Sequence, residues 1–363
     1  MVRCAAVLAV FVILLADTST GKFHALGQEL SGENVQDAPT AFQKEYYNAF
    51  LSVDIPKQRE IIGKLRAFME RNESARIALS SNEISFLLED LDRAISGSNE
   101  IQNRAKLQQQ QVVEGTRQEL LGNLPKALQH YRDSLTQATL LYGEDSFHAI
   151  AVRINIADAY YESGRNLDDA IAIYKEVQTS LETKELTSSD LYCQAITGLF
   201  GCYYEKEDRP NAIAFGRLVF ETHQQRRSTD SNQFFNAASV LIRELNTAKK
   251  HQEAVQLAKQ ILDGPHPMTG LEAFYSLNIY QDYAVAQMRL GNGQGVSTAF
   301  DQALLLANQL PNYPDDSKLI LLKQYQEFAE NSHDKELSKI LSSKIAEIER
   351  RHAQPRSRYT SSN

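Results

Sequence analysis

The sequence predicts an all-α fold: an α-solenoid of about five stacked helical hairpins, closed by helical caps at both ends. Three observations lead there. Ala127, Ala170, Ala212, Ala254 and Val296 are separated by 43, 42, 42 and 42 residues. A period of roughly 20–50 residues arises when one supersecondary unit can bury its apolar face only against copies of itself. The setting of each mark also repeats, with Leu128, Ile171, Ile213 and Val255 following at once and Val177, Val219, Ile261 and Ala303 seven residues on. Finally, no alternating run rich in Val, Ile and Thr interrupts the helical pattern, so strands are not expected.

Taken in order, residues 1–21 stand outside the array. Arg3 precedes an apolar run from Cys4 to Ala16, and Asp17, Thr18, Ser19, Thr20 and Gly21 follow, which gives the three parts of a secretory signal. The run is shorter than the roughly 20 residues a membrane span needs. Cys4 stands at the start of the run rather than after it, where it cannot act as the acylated cysteine of a lipoprotein signal. The expectation is therefore export, to a secretory lumen, a periplasm or the medium, with membrane anchoring only if the signal stays uncleaved. Residues 22–40 lack apolar periodicity and read as a flexible linker. Phe42, Tyr46 and Phe50, then Ile61, Ile62, Leu65, Phe68 and Met69, then Ile84, Leu87, Leu88, Leu91 and Ile95, carry helical spacing and make 41–104 a helical N-terminal cap.

Residues 105–310 hold the hairpins. Each is punctuated briefly before its anchor, by Gly122, Gly164 and Gly291, with Glu207-Asp208 and Lys249-Lys250 standing in elsewhere. Glycine there ends a helix in the left-handed conformation at little steric cost. Longer links follow at Gly143–Ser146, Thr187–Asp190, Ser228–Ser231, Gly264–Pro267 and Pro311–Pro314, most with a Ser, Thr or Asp able to cap the next helix. Leu319, Leu322, Tyr325 and Phe328, then Leu337, Ile340, Leu341, Ile345 and Ile348, make 311–352 a pair of capping helices. The chain is basic from Arg350, Arg351 and His352 through Arg356 and Arg358, and 353–363 read as a disordered tail.

Helix, tight turn, helix and longer link resemble the tetratricopeptide repeat (TPR) family. In Ile156–Gly164 followed by Asp169–Tyr174, the small residue, the aromatic, the turn glycine, the alanine and the second aromatic fall where that family's signature has them. Ala284, Gly291, Val296, Phe300 and Ala303 repeat the match in the last hairpin. The 42-residue period and Tyr142–Ser146 are similar to the kinesin-light-chain type. The departures are the missing turn glycines, Gly216 and Ala258 in place of the second aromatic, and the absence of tryptophan.

Composition narrows the function classes. A net charge of −8 argues against nucleic acid as a partner. Cys193 and Cys202, nine residues apart on one helix, rise about 13.5 Å and face opposite ways, too far to close a disulfide. The eight histidines are scattered, with no metal-ligand spacing, so no metal or cofactor is expected. Gly291–Gly295 follows a helix and lacks Lys-Ser/Thr, which reads as a hairpin turn rather than a phosphate loop. Asn72-Glu73-Ser74 is a lone glycosylation sequon. No Gly-x-Ser-x-Gly or Cys–His signature appears, and the chain reads as non-enzymatic.

The resemblance implies that the first helix of each hairpin lines a concave groove. Counting back from the anchors puts the amides Gln109, Gln194, Asn236 and Asn278 at one groove position, suited to bonding an extended peptide backbone. Tyr161 and Tyr204 fall at a second, beside Glu119, Asn246 and Met288 in the other hairpins, while Tyr160 and Tyr203 face the hairpin interior. Asp158 and Arg243 share a third, with Glu162, Glu205 and Arg289 nearby, and Gln281 completes the candidate set. The repeated Lys and Asn with which family members clamp a terminal carboxylate are missing. The expected function is a protein-interaction scaffold that takes a peptide or partner protein in the groove. The alternative is a structural component that self-associates through its end helices, or is tethered to a membrane by an uncleaved N-terminus or the basic tail, with the groove unused.

Overall fold

The computed structural model describes residues 38–71, 81–225, 232–264, 270–293, 295–311 and 313–353. The export signal, the sequon, the Ser228–Ser231 link, most of Gly264–Pro267 and the end of the basic tail lie outside them. Among the described residues there are fifteen helices and no strand. The chain divides into two compact units, 1–229 and 230–363.

In the first unit, α1 (Ala38–Leu51), α2 (Ile55–Arg71) and α3 (Ser81–Ser96) precede three hairpins. These are α4 (Asn99–Leu120) with α5 (Leu124–Tyr142), α6 (Phe147–Ser163) with α7 (Leu167–Thr183), and α8 (Asp190–Glu205) with α9 (Arg209–Gln225). Consecutive helices pack on one another, and α6 also packs on α8, so the first helices of the second and third hairpins lie side by side. Two boundaries differ from expectation: α1 starts inside the predicted linker, and the first hairpin opens at Asn99 rather than at 105, capped by Ser98 accepting from the Ile101 N–H.

The second unit repeats the plan with α10 (Asn232–Thr247) and α11 (His251–Leu262), α12 (Gly270–Arg289) and α13 (Val296–Gln309), then α14 (Asp315–Asn331) and α15 (Lys335–Ala353). Here α10 packs on α12 and α12 on α14. The end pair joins the core: Leu322, Tyr325, Leu341, Ile345 and Ile348 are buried with Phe300, whose ring stacks on that of Tyr325 at 4.9 Å. Ile340 departs from its predicted burial and is 47% exposed. Arg350, Arg351 and His352 belong to the last turn of α15, where Arg351 lies 3.4 Å from Asp315.

The evenly spaced anchors are the packing floor. Ala127, Ala170, Ala254 and Val296 are fully buried and Ala212 is 1% exposed, as the small residue at a helix crossing lets two backbones approach. Between anchor and first helix, each tight turn adopts the left-handed conformation. Gly122 and Gly291 do so at φ 74° and Gly164 at 63°. Glu207 (57°) and Lys249 (60°) take the same shape without glycine, and the N–H groups of Asp208 and Lys250 bond back to the Tyr203 and Leu245 carbonyls as Asn123 does to Gln118. Ser146 and Ser189 cap α6 and α8 through the N–H groups of Ala149 and Tyr192.

Helix α3 has a role the sequence did not announce. It lies across the ends of the hairpins instead of only closing the first. The buried Asp90 carboxylate accepts from the His148 backbone N–H (3.0 Å) and ring Nδ1 (2.8 Å) at the start of α6. The buried Glu83 carboxylate accepts from the N–H groups of Asp190 and Leu191 at the start of α8. Seven residues of helix rise about 10.5 Å, close to the roughly 8–10 Å between packed helices. The pair therefore meets two successive helix N-termini, where orphan N–H groups and the helix dipole favour a carboxylate. Arg93 donates to the Tyr142 carbonyl at 2.8 Å, and Phe86 packs edge-on against Phe147.

Candidate functional site

The candidate residues lie on the faces of the first helices, and the two units treat them differently. In the first unit, the second helices send tyrosines between the first helices toward that face. Tyr131, from α5, donates to Glu119 Oε2 at 2.6 Å and lies 3.2 Å from Thr116 Oγ1. Tyr174, from α7, donates to Asp158. Both rings need glycine beneath them, because a Cβ at Gly115 would overlap Tyr131 and one at Gly198 would overlap Tyr174. Burial and the adjoining carboxylates push both phenols well above their usual range.

Around these hydroxyls the face is acidic. Glu119 is 8% exposed, its Oε2 is satisfied by Tyr131, and its Oε1 is shut from water with no partner. Desolvation pushes its pKa up to about 7; the Tyr131 bond pulls the other way, and the charges of Glu162 and Asp158 add to the rise. Asp158 is half-buried and Glu162, one turn on, is exposed. Burial and Asp158 likewise raise Cys202, to about 12. Cys193 and Cys202 are both buried on α8 and form no disulfide with each other.

Further along, Tyr161 is half-buried on α6 and lies over Gly201 of α8, where a Cβ would come 3.1 Å from its hydroxyl. Tyr204 is half-buried on α8. Its neighbour Tyr203 turns inward and stacks on Phe215 of α9 at 5.4 Å, as expected. Tyr160 instead reaches out to Arg132 of the preceding hairpin, whose guanidinium donates to it at 2.6 Å. On α8 both amide atoms of Gln194, and the hydroxyl of Thr197 one turn on, are shut from water without a partner.

Gln109 is not where the counting put it. It is buried at 3% exposure, and its amide exchanges two hydrogen bonds, 2.9 and 3.1 Å, with Gln58 of α2. The N-terminal helices cover that end of the face.

In the second unit several polar groups of this face are taken by residues of the neighbouring first helix. Arg243 of α10 lies 3.6 Å from Asp282 of α12, and Asn246 donates to the Asp282 carbonyl at 2.8 Å. Gln281 donates to Gln324 of α14 at 2.7 Å, and Arg289 to Glu327 at 3.0 Å. Desolvation raises the Asp282 carboxyl to about 6, with Arg243 opposing the rise. Asn236 and Asn278 are half-buried on α10 and α12. The polar residues of this face thus stitch neighbouring hairpins together.

Sequence reasoning missed Gln58, Thr197, Asp282 and the inward carboxylate of Glu119. Gln58 comes alongside the face only through packing, whereas Thr197 and Asp282 stand on the first helices themselves. Glu119 was in the register, but its burial by Tyr131 was not.

No family model matches the chain, and no curated protein does. Among solved structures, it is similar to the nearly identical TPR-like repeats of a protein described as a kinesin light chain from Podosopora anserina. That match has 15% identity and a TM-score of 0.46, and covers 55% of this chain and 95% of that one. A Rap protein complexed with competence and sporulation factor matches at 11% identity and a TM-score of 0.41, over 88% of this chain and 99% of that one. Neither likeness is close enough to carry residue roles across.

Proposed function

We propose that this chain is a non-enzymatic protein-interaction scaffold that takes an extended peptide along the first-helix face of its first unit. The observation that carries the reading is Gln194: an amide with both its donor and its acceptor out of water and unbonded. Such a group costs about 1–3 kcal/mol when left unmet, and a peptide backbone meets both halves at once. The half-buried Tyr161 and Tyr204 stand on the same helices as rigid contact surfaces. In the second unit Arg243 and Gln281 are already taken by Asp282 and Gln324, which favours the first unit as the working surface.

The test is selection of random eight-residue peptides on the full chain, followed by Gln194→Leu and the pair Tyr161→Ala with Tyr204→Ala. Gln194→Leu is expected to raise the melting temperature while weakening the selected peptides at least tenfold, since a functional orphan group opposes stability. The tyrosine pair is expected to weaken them similarly. Unchanged affinity in both variants overturns the reading.

A second reading has one observation behind it. Leu305, Ile320 and Ile340 are 48%, 57% and 47% exposed on the last three helices, which suits self-association through the C-terminal end. A mass that grows with concentration, and reverts with Ile320→Lys and Ile340→Lys, supports it; a constant monomer mass excludes it. Export belongs to the proposal as well: a chain recovered from secreting cells with Met1–Gly21 still attached overturns cleavage. No helix among the described residues is long and apolar enough to cross a membrane.

A further inference from the structure

We infer that the first unit carries a subsite for one carboxamide side chain, a Gln or Asn of the bound peptide, held by Gln194 and Thr197 of α8. The inference rests on the peptide-binding reading above and names what that peptide presents. Both amide atoms of Gln194 and the hydroxyl of Thr197 are shut from water without a partner. Three residues apart on one helix, the two side chains are neighbours, roughly 5–6 Å apart at their Cβ atoms. Both residues are half-buried, so the surface reaches their stems while the polar ends lie beneath it. Thr136, Thr179, Thr183 and Thr247 each return their hydroxyl to the carbonyl four residues back in their own helix, the local bond open to any helical threonine. Thr197 does not make it.

The first hairpin displays the chemistry of the partner that the third one lacks. Gln109 and Gln194 stand at the same place in the repeat, each eighteen residues before its anchor, Ala127 and Ala212. Gln109 is met by another carboxamide: Gln58 of α2, fully buried, exchanges two hydrogen bonds with it, at 2.9 and 3.1 Å. Among the described residues nothing does the same for Gln194. Three residues on, the first hairpin has Val112 at 1% exposure where the third has Thr197. Threonine matches valine in shape and adds a hydroxyl, which a purely packed position leaves without use. A cation satisfies only the acceptor of Gln194 and an anion only its donor, and either brings an unpaired charge below the surface. A carboxamide meets both halves at once and keeps hydrogen-bonding capacity for the Thr197 hydroxyl.

The experiment uses the same random octapeptide selection on the full chain. The expected result is a Gln or Asn at one fixed position of the enriched peptides. Replacing it by Leu in the peptide is expected to weaken binding at least tenfold to the native chain and less than twofold to Gln194→Leu, with Thr197→Val between the two. Thr197→Val keeps the shape and removes only the hydroxyl, so a folded variant remains if Gln194→Leu fails. Enriched peptides without a fixed Gln or Asn, or a penalty that stays at tenfold in every folded variant, overturn the subsite and leave the groove standing. If no peptide is enriched, the groove reading falls and the subsite with it.

Discussion

Glu207 and Lys249 hold the left-handed turn that glycine holds in the neighbouring hairpins, and each carries local backbone strain there. A side chain in that conformation costs roughly 1–2 kcal/mol relative to the right-handed one. Both are exposed, so glycine there gives up no core packing. Glu207→Gly and Lys249→Gly are each expected to raise stability by about 1 kcal/mol in denaturant titrations. Gly198 poses the opposite case. The ring of Tyr174 lies where its Cβ would be, so Gly198→Ala is expected to lower stability by about 2 kcal/mol and to disturb the Tyr174–Asp158 bond. A neutral outcome at Gly198 would mean that α7 and α8 can separate freely.

At the scale of elements, α3 sets the first unit apart. Its two buried carboxylates, one hairpin layer apart, hold the starts of α6 and α8 in register. Asp90→Ala removes the acceptor for the buried His148 N–H and is expected to cost about 2–3 kcal/mol. Asp92→Ala is the control on the same helix. It breaks an ion pair with Arg59 whose side chains are 44% and 53% exposed, and is expected to change stability by less than about 0.5 kcal/mol. Hydrogen exchange distinguishes a strap from a passive cap: in Asp90→Ala, faster exchange in the first turn of α6 is expected alongside α3. Exchange confined to α3 would reduce the helix to a lid over α4.

At the scale of the whole molecule, burial raises a carboxylic acid in each unit: Glu119 to about 7 from 4.5 in the first, and Asp282 to about 6 from 3.8 in the second. The folded chain keeps a proton that the unfolded chain releases. Their contribution to stability is therefore complete below the unfolded values and is lost as pH rises through the folded ones. Comparison with variants isolates it. Glu119→Gln is expected to match the native chain near pH 4 and to exceed its stability at pH 8, with the gap opening between pH 4.5 and 7. A gap of constant size across that range would show that Glu119 is ionised in the folded chain.

The sequence by itself determined the period, the helix order and the anchors of the core. The anchors at 42-residue spacing are buried, Ser146 and Ser189 cap their helices, and even the turns at Glu207 and Lys249 keep the glycine shape. These are legible because helical periodicity, capping and turn geometry are set by residues within a few positions of one another. Only the tertiary structure decided which polar groups on the first-helix face are spent. Gln109 is taken by Gln58, 51 residues earlier, and Arg243 and Gln281 by side chains of the next hairpin. Gln194 and one oxygen of Glu119 keep hydrogen-bonding capacity unused. That difference depends on which helix comes to lie alongside, and a repeat that places equivalent residues at equivalent positions does not encode what a distant segment brings to meet them.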